Sequence, residues 1–364
     1  MRPTPARLAR PLALALLLLT AAHAQQPQRL PEEKIRKIEQ LITAEMSRQS
    51  VAGLSVAVVT ENQLRWSAGY GLADIENFVP ARGLTVYRLG SISKPITAVA
   101  VMQLAERGRL DLDAPVQKYC PAYPAKQWPV TARLILGHLA GIRHYNSEAE
   151  FDSTRFYPTI TDGLSMFKDD PLLHEPGTKY GYTTHGYAVL GCAVEGAAGQ
   201  KFADYVRENI SAPAGAERLR IDSVSDIIPG RAQGYRRTRD GSLRNSALAD
   251  TSYKIPGGGF VSTVEDLARF AVAVQTAKLT KPETVAQMFT RQKLKDGTET
   301  SYGLGWSVAT IEGQRATGHS GAQQRVSTFL HMLPDRGFAV VVMVNVEDTR
   351  LQPLVTQITD AVLK

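Results

Sequence analysis

The sequence predicts an α+β fold in which strands from both ends of the chain form one antiparallel sheet flanked by helices. Strand-like apolar runs occur near both ends, at residues 54–59, 63–68, 85–89, 305–310, 325–333 and 338–345. The stretch from 111 to about 245 is instead helical in pattern and rich in loops. Strands at both ends with helices between them favour a sheet built from both termini, with helices packed on one side.

The same pattern divides the chain into two parts. An α/β part occupies about residues 30–110 and 255–364, and a mostly helical insert occupies about residues 111–254, within one domain spanning 25–364. Apolar residues at helical spacing predict helices at 31–49, 91–107, 132–138, 187–196, 202–210, 263–276, 281–289 and 348–363. Residues 222–250 are polar and rich in Gly and Arg, which predicts a long surface excursion. The groove between the two parts is the natural place for a site.

Residues 1–24 have the pattern of a secretory signal peptide. Arginines form a basic front, residues 11–22 are almost wholly apolar, and Ala22-His23-Ala24 is a small-residue cleavage site. An apolar stretch of roughly a dozen residues is too short to span a bilayer as a helix. We therefore predict cleavage after Ala24, a periplasmic or secreted protein, and no stable membrane span after cleavage. A retained anchor is the alternative.

The charge distribution, the two cysteines and the histidine spacing each limit what the sequence predicts about partners, disulfide pairing and metals. The formal net charge of +7 is dispersed, with no basic run longer than Arg236-Arg237, so no nucleic-acid partner is predicted. Cys120 and Cys192 could pair in an oxidising compartment, but the apolar run 188–194 around Cys192 favours a lone buried thiol. No H-E-x-x-H motif is present, and His138 and His144 share no helical face, so both are interpreted as structural. We predict neither a metal nor another cofactor.

A nucleophile and its activating amine are indicated by Ser91-Ile92-Ser93-Lys94, which fits S-x-x-K. Ser91 follows a strand-like run and Gly90, and it opens a helix that is apolar nearly all round. Three residues apart on a helix, Ser91 and Lys94 share a face. A lysine on such a helix is poorly solvated, and burial lowers its pKa toward that of a proton acceptor. The alternative is that Ser91 only caps the helix and Lys94 lies at the surface.

Further motifs extend this pair into a family resemblance. S-x-x-K followed by a tyrosine motif and a late K-T-G-like motif resembles the serine beta-lactamases and penicillin-binding proteins. The second motif lies in the segment Pro176 to Tyr187, with Tyr182 as its tyrosine, and the third is His319-Ser320-Gly321, just before a strand. Supporting stretches at residues 136–142, 257–263 and 302–306 resemble the class C branch and its esterase and peptidase relatives. The segments around Ser91, at 111–116 and at 137–145, are similar above all to the mitochondrial beta-lactamase-like serine peptidases.

The resemblance implies a beta-lactamase/transpeptidase-like fold and acyl transfer to Ser91. It implies that Lys94 and Tyr182 share the proton of Ser91 and that Thr184 occupies the family's asparagine position. The backbone N–H groups of Ser91 and Ala322 would bind the oxyanion. The substrate would be a small molecule or peptide with an amide or ester bond, and a homo-oligomer is compatible with the family.

Two departures from the family pattern bear on the substrate. His319 stands where beta-lactamases have lysine, and Thr184 stands where they have asparagine. A neutral imidazole binds a carboxylate less well than a lysine near pH 7, which favours a peptidase or esterase over a true beta-lactamase or D-Ala carboxypeptidase. Arg325 could restore the charge if its side chain faced the groove.

Two other interpretations of the sequence compete with a serine hydrolase of this family. Residues 318–322 superficially resemble the nucleophile elbow of α/β-hydrolases, but no acid followed by a histidine comes after Ser320, so the order fails. The chain could instead be a binding or filament-forming protein on a hydrolase scaffold. The presence of Ser91, Lys94 and Tyr182 together favours activity, since a site without chemistry has no need of a buried lysine.

Overall fold

A computed structural model describes residues 29–364, so the predicted signal peptide lies outside the described residues. Its main feature is a seven-stranded antiparallel sheet with the order β3-β2-β1-β12-β11-β10-β9. The strands of this sheet are β1 (Gly53–Thr60), β2 (Gln63–Asp74), β3 (Val79–Pro80), β9 (Ser307–Ile311), β10 (Gln314–Gln323), β11 (Val326–Leu333) and β12 (Phe338–Val344). Strands from both ends of the chain meet where β1 pairs with β12, with Leu54 opposite Val344. The predicted α+β fold is confirmed.

The remaining strands are short. They are β4 (Tyr87–Arg88), β5 (Arg220–Ile221), β6 (Tyr235–Arg237), β7 (Leu243–Asn245) and β8 (Phe260–Ser262). A three-stranded sheet has the order β4-β8-β5, and β6 and β7 form a hairpin. The run 85–89 therefore contributes only two residues of strand.

Helices occur throughout the described chain. They are α1 (Glu32–Arg48), α2 (Ser93–Glu106), α3 (Ala132–Leu136), α4 (Glu148–Phe151), α5 (Ile160–Gly163), α6 (His185–Ala198), α7 (Phe202–Val206), α8 (Ala212–Ala214), α9 (Ile255–Gly258), α10 (Val264–Gln275), α11 (Pro282–Met288) and α12 (Gln352–Leu363). The predicted helix 202–210 ends early, because a π-helical turn follows at Arg207–Ser211.

Helices cover both faces of the large sheet rather than one side of it. Ile38 and Ile42 of α1 and Ile358 of α12 pack with Val56 and Val342 on one face. On the other face, alternate residues of the same strands pack against α2, α6 and α10 in the larger core. The expectation of helices on one side was wrong because the two terminal helices pack together over the outer face. Burial on both faces explains why β1 is apolar at most of its positions.

The helical part between β4 and β8 contains a disulfide bond between Cys120 and Cys192, whose Cα atoms lie 5.3 Å apart. The expectation of a lone thiol at Cys192 was wrong. Helix α6 approaches the loop between α2 and α3 so closely that a Cβ on Gly196 would lie 1.9 Å from the carbonyl oxygen of Tyr119. This contact brings Cys192, one turn earlier on α6, against Cys120.

Two other sequence interpretations need correction. The segment His319 to Gly321 lies within β10 rather than before a strand, because β11 pairs with it along its length despite its glycines and polar residues. The tract 222–250 is not wholly a surface excursion. Tyr235 is buried, and its backbone N–H donates to the carbonyl of Asn345, which ties the β6–β7 hairpin to the end of β12.

Within residues 29–364, no helix combines the length and apolar character required to cross a bilayer. The same residues contain no cluster of three or more His, Cys, Asp or Glu side chains arranged to hold a metal ion.

Candidate active site

Ser91 lies in a tight 3-10 turn, Gly90–Ile92, between β4 and α2. Gly90 has a φ of +54°, and a Cβ at this position would lie 2.9 Å from the backbone nitrogen of Ala322. Glycine therefore permits both the left-handed backbone and the close approach of the turn to β10. The hydroxyl of Ser93 donates to the carbonyl of Gly90 at 2.7 Å, which fixes the turn on the first residues of α2.

Lys94 lies in the first turn of α2 and is fully buried. Its Nζ is 3.0 Å from Ser91 Oγ, 3.1 Å from Thr184 Oγ1 and 2.9 Å from the carbonyl oxygen of Gly257. A neutral amine has two N–H groups and one lone pair. With Gly257 and Thr184 accepting the two N–H groups, the lone pair faces the hydroxyl of Ser91.

The surroundings of Lys94 favour this neutral form. Burial lowers the pKa of Lys94 well below its usual 10.5, and the positive charge of Lys254 lowers it further. The aromatic ring of Tyr182 lies beside the amine, with its centroid 4.6 Å from Nζ. The structure thus places Lys94 in the buried position expected of a proton acceptor rather than at the surface.

Tyr182 lies in the loop before α6 and faces the Ser91–Lys94 pair. Burial raises the pKa of its phenol well above 10, and a side-chain hydrogen bond with Ser91 acts in the opposite direction with a smaller effect. The phenol therefore remains protonated at neutral pH. It is suited to passing a proton on rather than to removing one unaided.

Two histidines hold the backbone that carries Tyr182 and Thr184. The N–H of Thr183 donates to Nδ1 of His138 at 3.2 Å, and the N–H of Thr184 donates to Nδ1 of His144 at 3.2 Å. Both rings must be unprotonated at Nδ1 to accept these bonds. Burial lowers the pKa of His138 well below 6.5 and that of His144 to about 4, and the charge of Lys94 adds to both shifts.

The edge of β10 forms the opposite wall of the site. Strand β9 pairs with β10 only as far as Gly318. Beyond Gly318, this edge of β10 faces the turn that carries Ser91. A Cβ on Gly321 would lie 2.0 Å from the carbonyl oxygen of Leu89, so only glycine fits there. Ala322 lines the same cavity as Ser91.

His319 of β10 is buried, and both of its ring nitrogens form hydrogen bonds. Its Nδ1 lies 2.6 Å from the carbonyl oxygen of Ser320 and donates to it, and its Nε2 accepts from the hydroxyl of Tyr302 at 2.8 Å. Burial, with a smaller effect of the charge that Lys94 carries when protonated, lowers the pKa of His319 to about 3. The ring is therefore neutral at pH 7 and has no free N–H for a substrate carboxylate.

Two candidate residues lie away from this centre. Ser320 is exposed and lines a separate cavity with Phe329 and His331, to which the neighbouring His319 also contributes. Arg325 has a φ of +78° in the turn after β10 rather than a place on a strand. Its stem packs against Gly234, and its backbone N–H donates to Glu347. Arg325 is also not among the residues that line the cavity beside Ser91.

A cavity of about 320 Å³ adjoins the nucleophile. It is lined by Ser91, His144, Tyr145, Phe151, Thr184, Gly257, Gly258, Ala322 and Gln323. Sequence reasoning missed His144, Tyr145, Phe151 and Gln323 as lining residues and assigned His144 a structural role. The family-like stretch 136–145 was the available signal for two of them. Gly257 belongs to the family-like stretch 257–263, and its carbonyl contacts Lys94.

Comparison with known proteins identifies the family of the chain. The Beta-lactamase family model matches residues 38–362. The chain is 29% identical over 379 residues to the serine beta-lactamase-like protein LACTB, mitochondrial, of Homo sapiens, covering 78% of this chain and 69% of that protein. It is 26% identical over 313 residues to penicillin-binding protein 4* of Bacillus subtilis (strain 168), covering 81% and 68%.

A solved structure extends the agreement to the fold. The octameric penicillin-binding protein homologue from Pyrococcus abyssi aligns with a TM-score of 0.78 and 25% identity, covering 90% of this chain and 77% of that one. The resemblance stated from the motifs is thereby confirmed. The chain belongs to the beta-lactamase family of serine hydrolases.

Proposed function

We propose that the protein is an exported serine hydrolase that cleaves amide or ester bonds through an acyl-enzyme on Ser91. The observation that carries the proposal is the 3.0 Å contact between Lys94 Nζ and Ser91 Oγ, made by a fully buried amine. Because the other two contacts of this amine are with acceptors, its lone pair is directed at the hydroxyl.

Acylation follows from these positions. Lys94 takes the proton of Ser91 as Oγ attacks the substrate carbonyl carbon, and the carbonyl π electrons move to oxygen. The backbone N–H groups of Ser91 and Ala322 stabilise the resulting oxyanion. When the tetrahedral intermediate collapses, the bond to the leaving group breaks, and Tyr182 passes the proton from Lys94 to the departing nitrogen or oxygen.

Deacylation repeats the sequence with water. A water molecule attacks the ester carbonyl, its proton passes to Lys94, and Ser91 Oγ regains a proton as the acid product leaves. His138 and His144 act here as positioning residues, because they hold the backbone of Thr183 and Thr184 beside Lys94.

Export is supported by two observations. The first 24 residues have the signal-peptide pattern described above. The disulfide between Cys120 and Cys192 is a bond that persists in oxidising compartments and is rare in the cytosol.

The environment of His319 supports a peptidase or esterase over a true beta-lactamase or D-Ala carboxypeptidase. A lysine at this position would offer a permanent cation to a substrate carboxylate. The His319 ring is neutral, and its N–H donates to the carbonyl of Ser320. Neutral amides and esters fit such a site better than substrates with a free carboxylate.

The proposal predicts that a fluorophosphonate probe labels the wild-type protein and spares Ser91→Ala. The probe forms its covalent bond with an activated serine oxygen, which the variant lacks. Labelling would be followed by in-gel fluorescence and mass spectrometry of the labelled peptide. Ser320→Ala is the matched control, because Ser320 is exposed outside the cavity, and it should label like the wild type.

Equal labelling of wild type and Ser91→Ala would end the claim that Ser91 is the nucleophile. Loss of labelling in Ser320→Ala alone would favour the nucleophile-elbow interpretation. Absence of labelling in every form, with the protein folded, would favour a binding or assembly protein on a hydrolase scaffold. Whether the chain forms a homo-oligomer stays a prediction.

A second prediction concerns substrates with a free carboxylate. We expect turnover of a chromogenic cephalosporin to be weak or absent, and His319→Lys to raise its kcat/KM by about 10- to 100-fold. A hydrogen bond to a charged partner contributes about 1.5–3 kcal/mol, which corresponds to that range. Turnover is measured by absorbance, with a neutral p-nitrophenyl ester as the reference substrate.

His319→Gln is the matched variant, since it replaces the ring without adding charge, and it should produce no gain. Wild-type cephalosporin turnover at rates typical of beta-lactamases would show that the inference from His319 is wrong. A folded His319→Lys variant with no gain on any carboxylate-bearing substrate would also contradict it.

A further inference from the structure

Lys254 is a second buried lysine beside the active site that the mechanism above does not use. It is 1% exposed, and its Nζ has no hydrogen-bond partner among residues 29–364. Its neighbours are aromatic faces: Nζ lies 4.5 Å from the ring centroid of Phe151, 5.2 Å from that of Tyr253 and 5.5 Å from that of Tyr145. Such faces stabilise a cation only in part.

The position of Lys254 connects it to Lys94 in two ways. It immediately precedes α9, and Gly257 of that helix accepts a hydrogen bond from Lys94 Nζ. On the other side, the ring of Tyr145 contacts Lys254, and Tyr145 lines the same cavity wall as Thr184, which accepts from Lys94. The amines of Lys94 and Lys254 are therefore connected both through α9 and through Tyr145 and Thr184.

The carboxylates nearest to Lys254 already have partners of their own. The charged groups that act on Lys254 are Arg88, which lowers its pKa, and Asp152, Asp222 and Asp250, which raise it. Arg88 pairs with Asp222 at 2.8 Å, Gln324 donates to Asp152, and the N–H of Ser252 donates to Asp250 at 2.7 Å. No carboxylate contacts Lys254 directly among the described residues.

The charge of Lys254 reaches several groups in the site. It lowers the pKa of Lys94, of His144 and of His185. Other groups facing Lys94 are the phenols of Tyr182 and Tyr187 and the neutral rings of His138 and His319. None of these carries a negative charge at neutral pH that would offset the effect of Lys254.

We propose that Lys254 is a positioning residue that acts through Lys94, its buried positive charge keeping the Lys94 amine uncharged and able to take the proton of Ser91. This inference rests on the proposed function. Burial lowers the pKa of Lys254 to about 7. Below that pH the charge is present and opposes protonation of Lys94, and above it the charge and its influence are lost.

The test is the pH dependence of labelling by a neutral fluorophosphonate, measured as a second-order rate constant from pH 5 to 10. Lys254→Met keeps the length of the side chain and removes its charge. We expect the acid limb of the profile to shift to higher pH by about one unit. At a given pH on that limb, the rate is then about tenfold lower. Near pH 9, where wild-type Lys254 is neutral, the two rates should agree within about twofold.

Lys293→Met is the matched control, because this lysine is exposed and forms a surface ion pair with Glu299, and its profile should match the wild type. Lys254→Arg retains a charge and should leave the limb at or below its wild-type position. If Lys254→Met does not fold, as judged by circular dichroism, Lys254→Gln takes its place.

An unmoved acid limb in a folded, uncharged variant would overturn the proposal. So would an equal loss of rate at every pH, which is the result expected if Lys254 only supports the packing of Tyr145 and Phe151. Absence of Ser91-dependent labelling at any pH in the wild type is a different result, since it would refute the proposed function itself.

Discussion

Replacing Lys94 with methionine is expected to lower the rate of Ser91 acylation by about 10²- to 10⁴-fold, the usual contribution of a positioned proton acceptor. Methionine keeps an unbranched apolar chain in the buried site but has no lone pair that can accept the proton of Ser91. The measurement is the second-order rate constant for fluorophosphonate labelling at pH 7, confirmed with the hydrolysis of a p-nitrophenyl ester.

The residual rate identifies what Lys94 contributes. As pH rises through the lowered pKa of Lys94, its amine loses a proton and becomes able to accept one from Ser91. The wild-type rate should therefore rise with pH on the acid side, and the rate of Lys94→Met should not show this rise. In a Ser91→Ala background, Lys94→Met should cause no further loss, since both residues act in one step. A folded Lys94→Met variant within tenfold of the wild-type rate would show that another group removes the proton.

Breaking the Cys120–Cys192 disulfide is expected to lower the free energy of unfolding by roughly 4 kcal/mol. The two residues are separated by 72 positions, and closing a loop of that length restricts the unfolded chain by about this amount. The measurement compares urea unfolding of the oxidised and reduced wild-type protein, because reduction leaves every side-chain carbon in place.

The double variant Cys120→Ala with Cys192→Ala is the companion to that comparison. Both sulfurs are buried, so this variant should lose the cross-link and also some packing, and it should be less stable than the reduced wild type. A reduced protein within about 1 kcal/mol of the oxidised one would show that the bond adds little to stability.

The regular elements were predictable because their periodicity is strong. Helix α1 has Ile35, Ile38 and Ile42 on one buried face, and its predicted bounds 31–49 differ from the observed Glu32–Arg48 by one residue at each end. Strands β11 and β12 are apolar runs of the expected length. In these segments the local pattern and the tertiary environment require the same structure.

The segments that were mispredicted depend on contacts between distant parts of the chain. Strand β10 contains Gly318, His319 and Gly321, residues that carry no strand periodicity, and it is ordered by β9 and β11. The disulfide depends on how closely α6 packs against the loop at Tyr119. Neither proximity is encoded in a local window of sequence.

The candidate site shows the same division. Ser91 and Lys94 were accessible from sequence because one helical turn fixes their separation. Lys254 and Gln323 carried no motif of their own. His138 and His144 were interpreted as structural, and their rings do accept the backbone N–H groups of Thr183 and Thr184. Their places in the site come from the packing of α9, β10 and the loop after α3 around Lys94.

The pairing of β1 with β12 has a consequence for how the protein is made. Gly53 donates its backbone N–H to the side chain of Asn345, a contact that spans 292 residues, and β12 lies between β1 and β11 in the sheet. During synthesis the first two strands therefore emerge long before the strand that completes them. Contacts of such long range slow folding. The large sheet therefore cannot be completed until β12 is available.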